Sequence, residues 1–167
     1  MLLMMLSAVV FHELGHVLLF YAYTRRPPSL RVDRFGLRLV SDAPLLSAEE
    51  FMIAAAGPAV NLALGLLLCR MGDAFFFSLG TMHFLFALFN LLPYEGADGG
   101  RMLLILLRRF FSSRTAEGIF IFASAGTLAF FYFLSLYLFY FTGEGLIGVF
   151  FAAFSFPWHK VERNDDF

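Results

Sequence analysis

Apolar residues run along this chain in long unbroken stretches, and the polar residues gather in the gaps between them. The stretches at about 2–23, 51–69, 74–92 and 118–141 each suit a membrane-crossing helix, which takes about 20 mostly apolar residues. A fifth, 145–157, is shorter and reads as a tilted span, a re-entrant segment or an interfacial helix. The polar loop 24–50 has another period. Arg25-Arg26-Pro27-Pro28 ends the first helix, because proline cannot continue it and restrains the residue before it. Leu30, Val32, Phe35, Leu37 and Leu39 then interleave with Arg31, Asp33, Arg34 and Arg38 around Gly36, the pattern of a short hairpin. Ser47 and Glu50 suit the N-cap and capping-box positions of the next helix. Residues 103–111, with Arg101, Arg108 and Arg109, read as an amphipathic helix at the membrane surface near anionic lipid. The expected fold is an all-α polytopic membrane protein. It has a three-span core over 1–112, one or two C-terminal spans over 113–157, a polar tail over 158–167 and a short membrane-associated β-hairpin.

Composition supports a lipid environment. Hydrophobic residues make up 60% of the 167, charged residues only 15%, and Phe alone occurs 24 times. A body this small cannot bury so much apolar surface by itself. The net charge of −1 argues against a nucleic-acid partner, and the single Cys69 rules out an intramolecular disulfide. With the spans above, eleven of the twelve Lys and Arg fall on one side, in 24–50, 93–117 and 158–167, and only Arg70 on the other. The positive-inside rule makes that side cytoplasmic and puts the N-terminus outside. The same count favours 145–157 as a fifth crossing. No Lys or Arg precedes the first span, and it carries three ionisable residues in its middle, so it is not read as a signal peptide.

Those three residues carry the chemistry. In His12-Glu13-Leu14-Gly15-His16 the histidines lie four apart, on one face of a helix, where both imidazoles can hold one metal ion. Glu13, about 100° further round, can take a proton from a water activated by that metal. A shuffled chain of this composition would contain the pattern in roughly 0.3% of cases, and ionisable groups inside a span default to function. A catalytic zinc usually has a third protein ligand. The candidates are Asp98, Glu95, His83 and His159. Asp98 follows Asn90-Leu91-Leu92-Pro93, in a segment where Gly96, Gly99 and Gly100 permit unusual backbone angles and a fold back toward the metal. Its bland alternative is a helix N-cap before Gly99. Asn61, after Gly57-Pro58, suits interhelical hydrogen bonding as well as a place lining the site. His83 reads as a packing histidine.

The two motifs together resemble the site-2 protease family of intramembrane zinc metalloproteases. His12-Glu13-Leu14-Gly15-His16 on a first core span, Ala56-Gly57-Pro58-Ala59-Val60-Asn61 on the second, and Asn90-Leu91-Leu92-Pro93 with Asp98-Gly99-Gly100 after the third all match in order. The match covers residues 11–101 and is most similar to the bacterial sporulation branch that releases a sigma factor from its precursor. Two positions depart from the usual pattern, with Gly96 in place of a frequent Pro and Ala97 in place of a bulkier aliphatic residue. The resemblance implies one Zn2+ per chain, held by His12, His16 and Asp98, with Glu13 as general base. Asn90, Asn61 and Gly99 would line the site or contact substrate. It makes the 1–112 unit a metalloprotease core and the hairpin an edge for substrate strand addition. The implied partners are a transmembrane protein substrate, the lipid bilayer and a membrane regulatory partner of unstated identity, in a bacterial plasma membrane. Two other classes compete. A non-catalytic protein of the same fold would keep its function with Glu13→Gln, and a metal or ion transporter would show flux across liposomes.

Overall fold

The computed structural model of the chain describes residues 1–26, 29–33, 36–40 and 46–142. In order these form α1 (Leu2–Thr24), β1 (Ser29–Asp33), β2 (Gly36–Val40), α2 (Ser47–Cys69), α3 (Ala74–Asn90), α4 (Asp98–Phe110) and α5 (Ser113–Thr142). Helices α1, α2 and α5 are long and apolar enough to cross a membrane, while α3, at 17 residues, is shorter. The stretch 145–157, the tail and His159 lie outside the described residues.

Local chemistry sets the boundaries. Arg25 closes α1 by entering the left-handed region (φ 53°), with its N–H donating to Tyr21 O at 2.9 Å. Strands β1 and β2 pair antiparallel, from Ser29 opposite Val40 to Asp33 opposite Gly36. The start of α2 differs from the expected cap. Leu46 is the N-cap, Ser47 is already helical, and Glu49 rather than Glu50 accepts the Leu46 N–H, at 2.9 Å. The carboxylate at the third helical position is the one that reaches back. Helix α3 starts under Asp73, whose carboxylate accepts the Phe75 N–H at 2.7 Å. Helix α5 begins five residues before the apolar stretch, because its first turn is the polar Ser113-Arg114-Thr115.

Helix α2 is central and packs against α1, α3 and α4, and α4 packs in turn on α5. Small residues let these backbones approach. A Cβ on Gly15 of α1 would stand 2.8 Å from the Ala56 carbonyl of α2, and Ala8, Ala54 and Ala87 are almost wholly buried. The outward faces stay apolar: Leu18, Phe122, Phe133 and Phe141 are 66%, 82%, 66% and 65% exposed. In water that surface would drive aggregation, and lipid is the solvent that suits it. The chain is an integral membrane protein.

Candidate metal centre

His12 and His16 project from the same face of α1 toward α2 and are both buried. Asp98 reaches them from the far side. After α3 ends, Tyr94 N–H donates to Leu92 O at 2.9 Å and Ala97 N–H to Tyr94 O at 3.2 Å, coiling the connection tightly. Gly96 turns the chain at φ 99°, a conformation that favours glycine. The Glu95 N–H donates to Ser124 Oγ of α5 at 3.1 Å, which ties the loop to the helix behind it. Asp98 is then the first residue of α4, after Ala97 as N-cap, and its side chain does not cap the helix. It enters the site instead. Gly99 and Gly100 are helical rather than unusual in backbone angle. They are small because a Cβ at Gly99 would strike the Leu91 carbonyl and one at Gly100 the Tyr94 carbonyl. Gly99 therefore seats α4 against the end of α3.

Three potential ligand atoms converge. His12 Nε2 lies 2.9 Å from Asp98 Oδ2, His16 Nε2 lies 3.3 Å from the same oxygen, and the two nitrogens are 3.1 Å apart. Among the described residues, His12, His16 and Asp98 form the group able to hold a metal ion, with Glu13 outside it. The size fits. Tetrahedral ligand atoms about 2.0–2.1 Å from zinc stand about 3.3 Å from one another. The protonation pattern fits too. His16 Nδ1 lies 2.7 Å from Ile53 O, and since a carbonyl only accepts, Nδ1 carries the proton and neutral Nε2 presents its lone pair to the cluster. Asp98 Oδ2 is buried with no aligned hydrogen bond. A cation satisfies these lone pairs together. Burial pushes the Asp98 carboxyl up, but the adjacent His16 and His12 rings outweigh it and hold the group below its ordinary range. Burial, and then the Asp98 charge, push the Tyr94 phenol up.

The other expected site residues are not part of the ligand cluster and make hydrogen bonds of their own. Asn90 turns its Nδ2 back onto its own helix, donating to Phe86 O at 3.0 Å. Asn61 is fully buried and bonds to Ala8 O at 3.1 Å and His83 Nδ1 at 3.0 Å, as an interhelical tie would. His83 is thus held by Asn61 and is not among the ligands. Gly57 belongs to the second-span motif, where the sequence assigns it no role, and it proves to shape the site. A Cβ there would overlap His16 Nε2 and approach His12 Cε1 to 2.8 Å, so this glycine makes the space the two rings occupy. Its signal is present, since a glycine inside an apolar helix needs a packing or functional reason.

Comparison with known proteins agrees with this fold. A site-2 protease from Methanocaldococcus jannaschii shares the fold, with a TM-score of 0.64 over 92% of this chain and 72% of that one, at 23% identity. A protein of Synechocystis sp. named as a candidate zinc metalloprotease is 36% identical over 114 residues, which is 60% of this chain and 29% of the relative. Rip3 of Mycobacterium tuberculosis, named likewise, is 32% identical over 90% of this chain and 42% of its own length. The chain is thus similar to proteins named as candidate zinc metalloproteases and has the fold of a site-2 protease. It spans less than half the length of the two curated relatives, and no family model matches it.

Proposed function

We propose that this chain is the metalloprotease core of an intramembrane zinc endopeptidase, which cuts a peptide bond within or near a transmembrane segment of a membrane protein. The observation that carries this reading is the triangle of His12 Nε2, His16 Nε2 and Asp98 Oδ2, with sides of 2.9–3.3 Å at the meeting of three helices. These three residues would hold one Zn2+, as ligand chemistry of two imidazoles and a carboxylate suits. Zinc bound there would lower the pKa of a water to near 7 and polarise the scissile carbonyl.

The protein's own groups then move the protons. Glu13, next to His12 on α1 and half-buried, takes a proton from the attacking water as the new C–O bond forms. It returns that proton to the nitrogen as the C–N bond breaks. The Ile53 carbonyl keeps the His16 ring in one tautomer and orientation. The β1 and β2 pair follows α1 directly, and its edge is the place for an unwound substrate segment to add as a strand. That step has a physical reason, because the amides of an intact helix are closed to attack. The basic residues favour a cytoplasmic active-site side, with product released there. The resemblance to the sporulation branch makes a membrane-tethered transcription-factor precursor one substrate of this class. Residues 113–157 would extend the core as C-terminal membrane segments, and 158–167 would form a cytoplasmic tail.

Metal analysis of the detergent-purified protein tests the centre. About one zinc per chain is expected in the wild type, with strong loss in both His16→Ala and Asp98→Ala. A well-folded wild type without tightly bound metal would refute the reading. Incubation with a membrane-tethered substrate then tests the reaction, and release only to the outer face would refute the orientation.

A further inference from the structure

Two polar side chains are sealed into the helix interface without belonging to the ligand triad. Asn61 on α2 is 0% exposed and His83 on α3 is 1% exposed. Asn61 Nδ2 donates to Ala8 O of α1 at 3.1 Å, which leaves Oδ1 facing His83 Nδ1 at 3.0 Å. An amide oxygen only accepts, so His83 Nδ1 carries the proton and donates. The bonds therefore run in one direction, from α3 through α2 to α1. Their end point matters, because Ala8 is the residue whose carbonyl closes the helical turn that carries His12. On the neighbouring residue, the Phe11 ring stands 6.0 Å from the His83 ring.

Apolar packing alone would hold these helices together, but it tolerates sliding. A pair of directional bonds does not, since a shift of about 1.5 Å along the axis, one residue of rise, breaks them and strands buried donors. We propose that His83, acting through Asn61, is a positioning residue that fixes the depth of the His12 turn against α2, and with it the place of His12 Nε2 in the ligand triangle. This rests on the metal-centre reading above for its consequence, though the tie itself is a matter of helix register.

Two substitutions separate a polar tie from simple packing. His83→Phe keeps a ring beside Phe11 and removes the donor, whereas His83→Asn keeps a donor at the Nδ1 position and removes the ring. The full chain, as purified in detergent, is compared by hydrogen exchange in the α1 segment around His12. A second readout is the affinity and d–d absorption of added Co2+. The tie predicts faster exchange, at least tenfold weaker cobalt binding and an altered spectrum in His83→Phe, with near wild-type values in His83→Asn. The reverse order, with His83→Phe like wild type and His83→Asn impaired, would overturn the proposal in favour of packing. If His83→Phe does not fold, His83→Asn decides alone: wild-type exchange upholds the tie and fast exchange overturns it. Failure of the wild type to bind cobalt would instead sink the metal-centre reading, and the exchange comparison would still judge the tie.

Discussion

Gly57 on α2 lies so close to His16 Nε2 on α1 that a methyl group in its place would overlap the ring. The same methyl would come within 2.8 Å of His12 Cε1. Neither imidazole has room to retreat, since His16 is held by Ile53 O at 2.7 Å and His12 is packed edge-on against Phe86 at a 5.1 Å ring separation. Gly57→Ala must therefore turn the rings or part the helices. It is expected to weaken zinc binding about 10- to 100-fold, the range for disturbed ligand support. Elemental analysis against a competing chelator reads this directly, and wild-type affinity in Gly57→Ala would contradict the geometry.

Glu13 offers the complementary case. It stands beside the ligands but outside the cluster, so Glu13→Gln is expected to keep a full zinc complement. Hydrolysis, however, should fall by roughly 10²–10⁴-fold, the usual contribution of a positioned general base. His16→Ala should lose metal and activity together. A Glu13→Gln protein that still cleaves substrate at the wild-type rate would remove Glu13 from the mechanism.

The contrast between these residues shows what the sequence makes legible. His12, Glu13 and His16 share a helix, so a fixed four-residue spacing along one face discloses their geometry from the chain alone. The long apolar runs likewise disclose α1, α2 and α5. Asp98 is one candidate among four in the sequence, because its approach depends on a turn at Gly96 and on how α4 abuts α3, neither of which a spacing encodes. Asn61 has two balanced readings there, and only the positions of Ala8 and His83 on other helices identify it as a tie. Gly57 stands in a sequence motif without a legible role, and the Ile53 carbonyl escapes the sequence altogether, for the same reason. Their roles are contacts between helices, and a backbone acceptor has no sequence signature.

The turn that delivers Asp98 is open to its own test. Gly96 sits at φ 99°, where a Cβ is strained, so Gly96→Ala is expected to cost about 1–3 kcal/mol. Because the strain falls in the segment leading directly to Asp98, part of it can be relieved by moving the carboxylate. Thermal unfolding in detergent should show a lower midpoint, together with weaker zinc retention. Gly118 is the control, since a Cβ there meets nothing within 4 Å, and Gly118→Ala should leave both quantities unchanged or slightly improved.

Metal removal should also be visible in stability. The three ligands come from α1 and α4, which are separated by two other helices in the chain, so a bound ion fastens together elements distant in sequence. An ion that binds only the folded state adds about 4 kcal/mol when its concentration is about 1,000 times its dissociation constant. Chelation of the wild-type protein is therefore expected to lower its unfolding midpoint, and re-addition of zinc to restore it. Asp98→Asn changes the size of that response without altering side-chain volume, because it removes the carboxylate charge from the cluster. Its midpoint should respond little to either treatment. Equal sensitivity to chelator in the wild type and in Asp98→Asn would mean that the stabilising ion sits elsewhere, and the centre at His12, His16 and Asp98 would have to be abandoned.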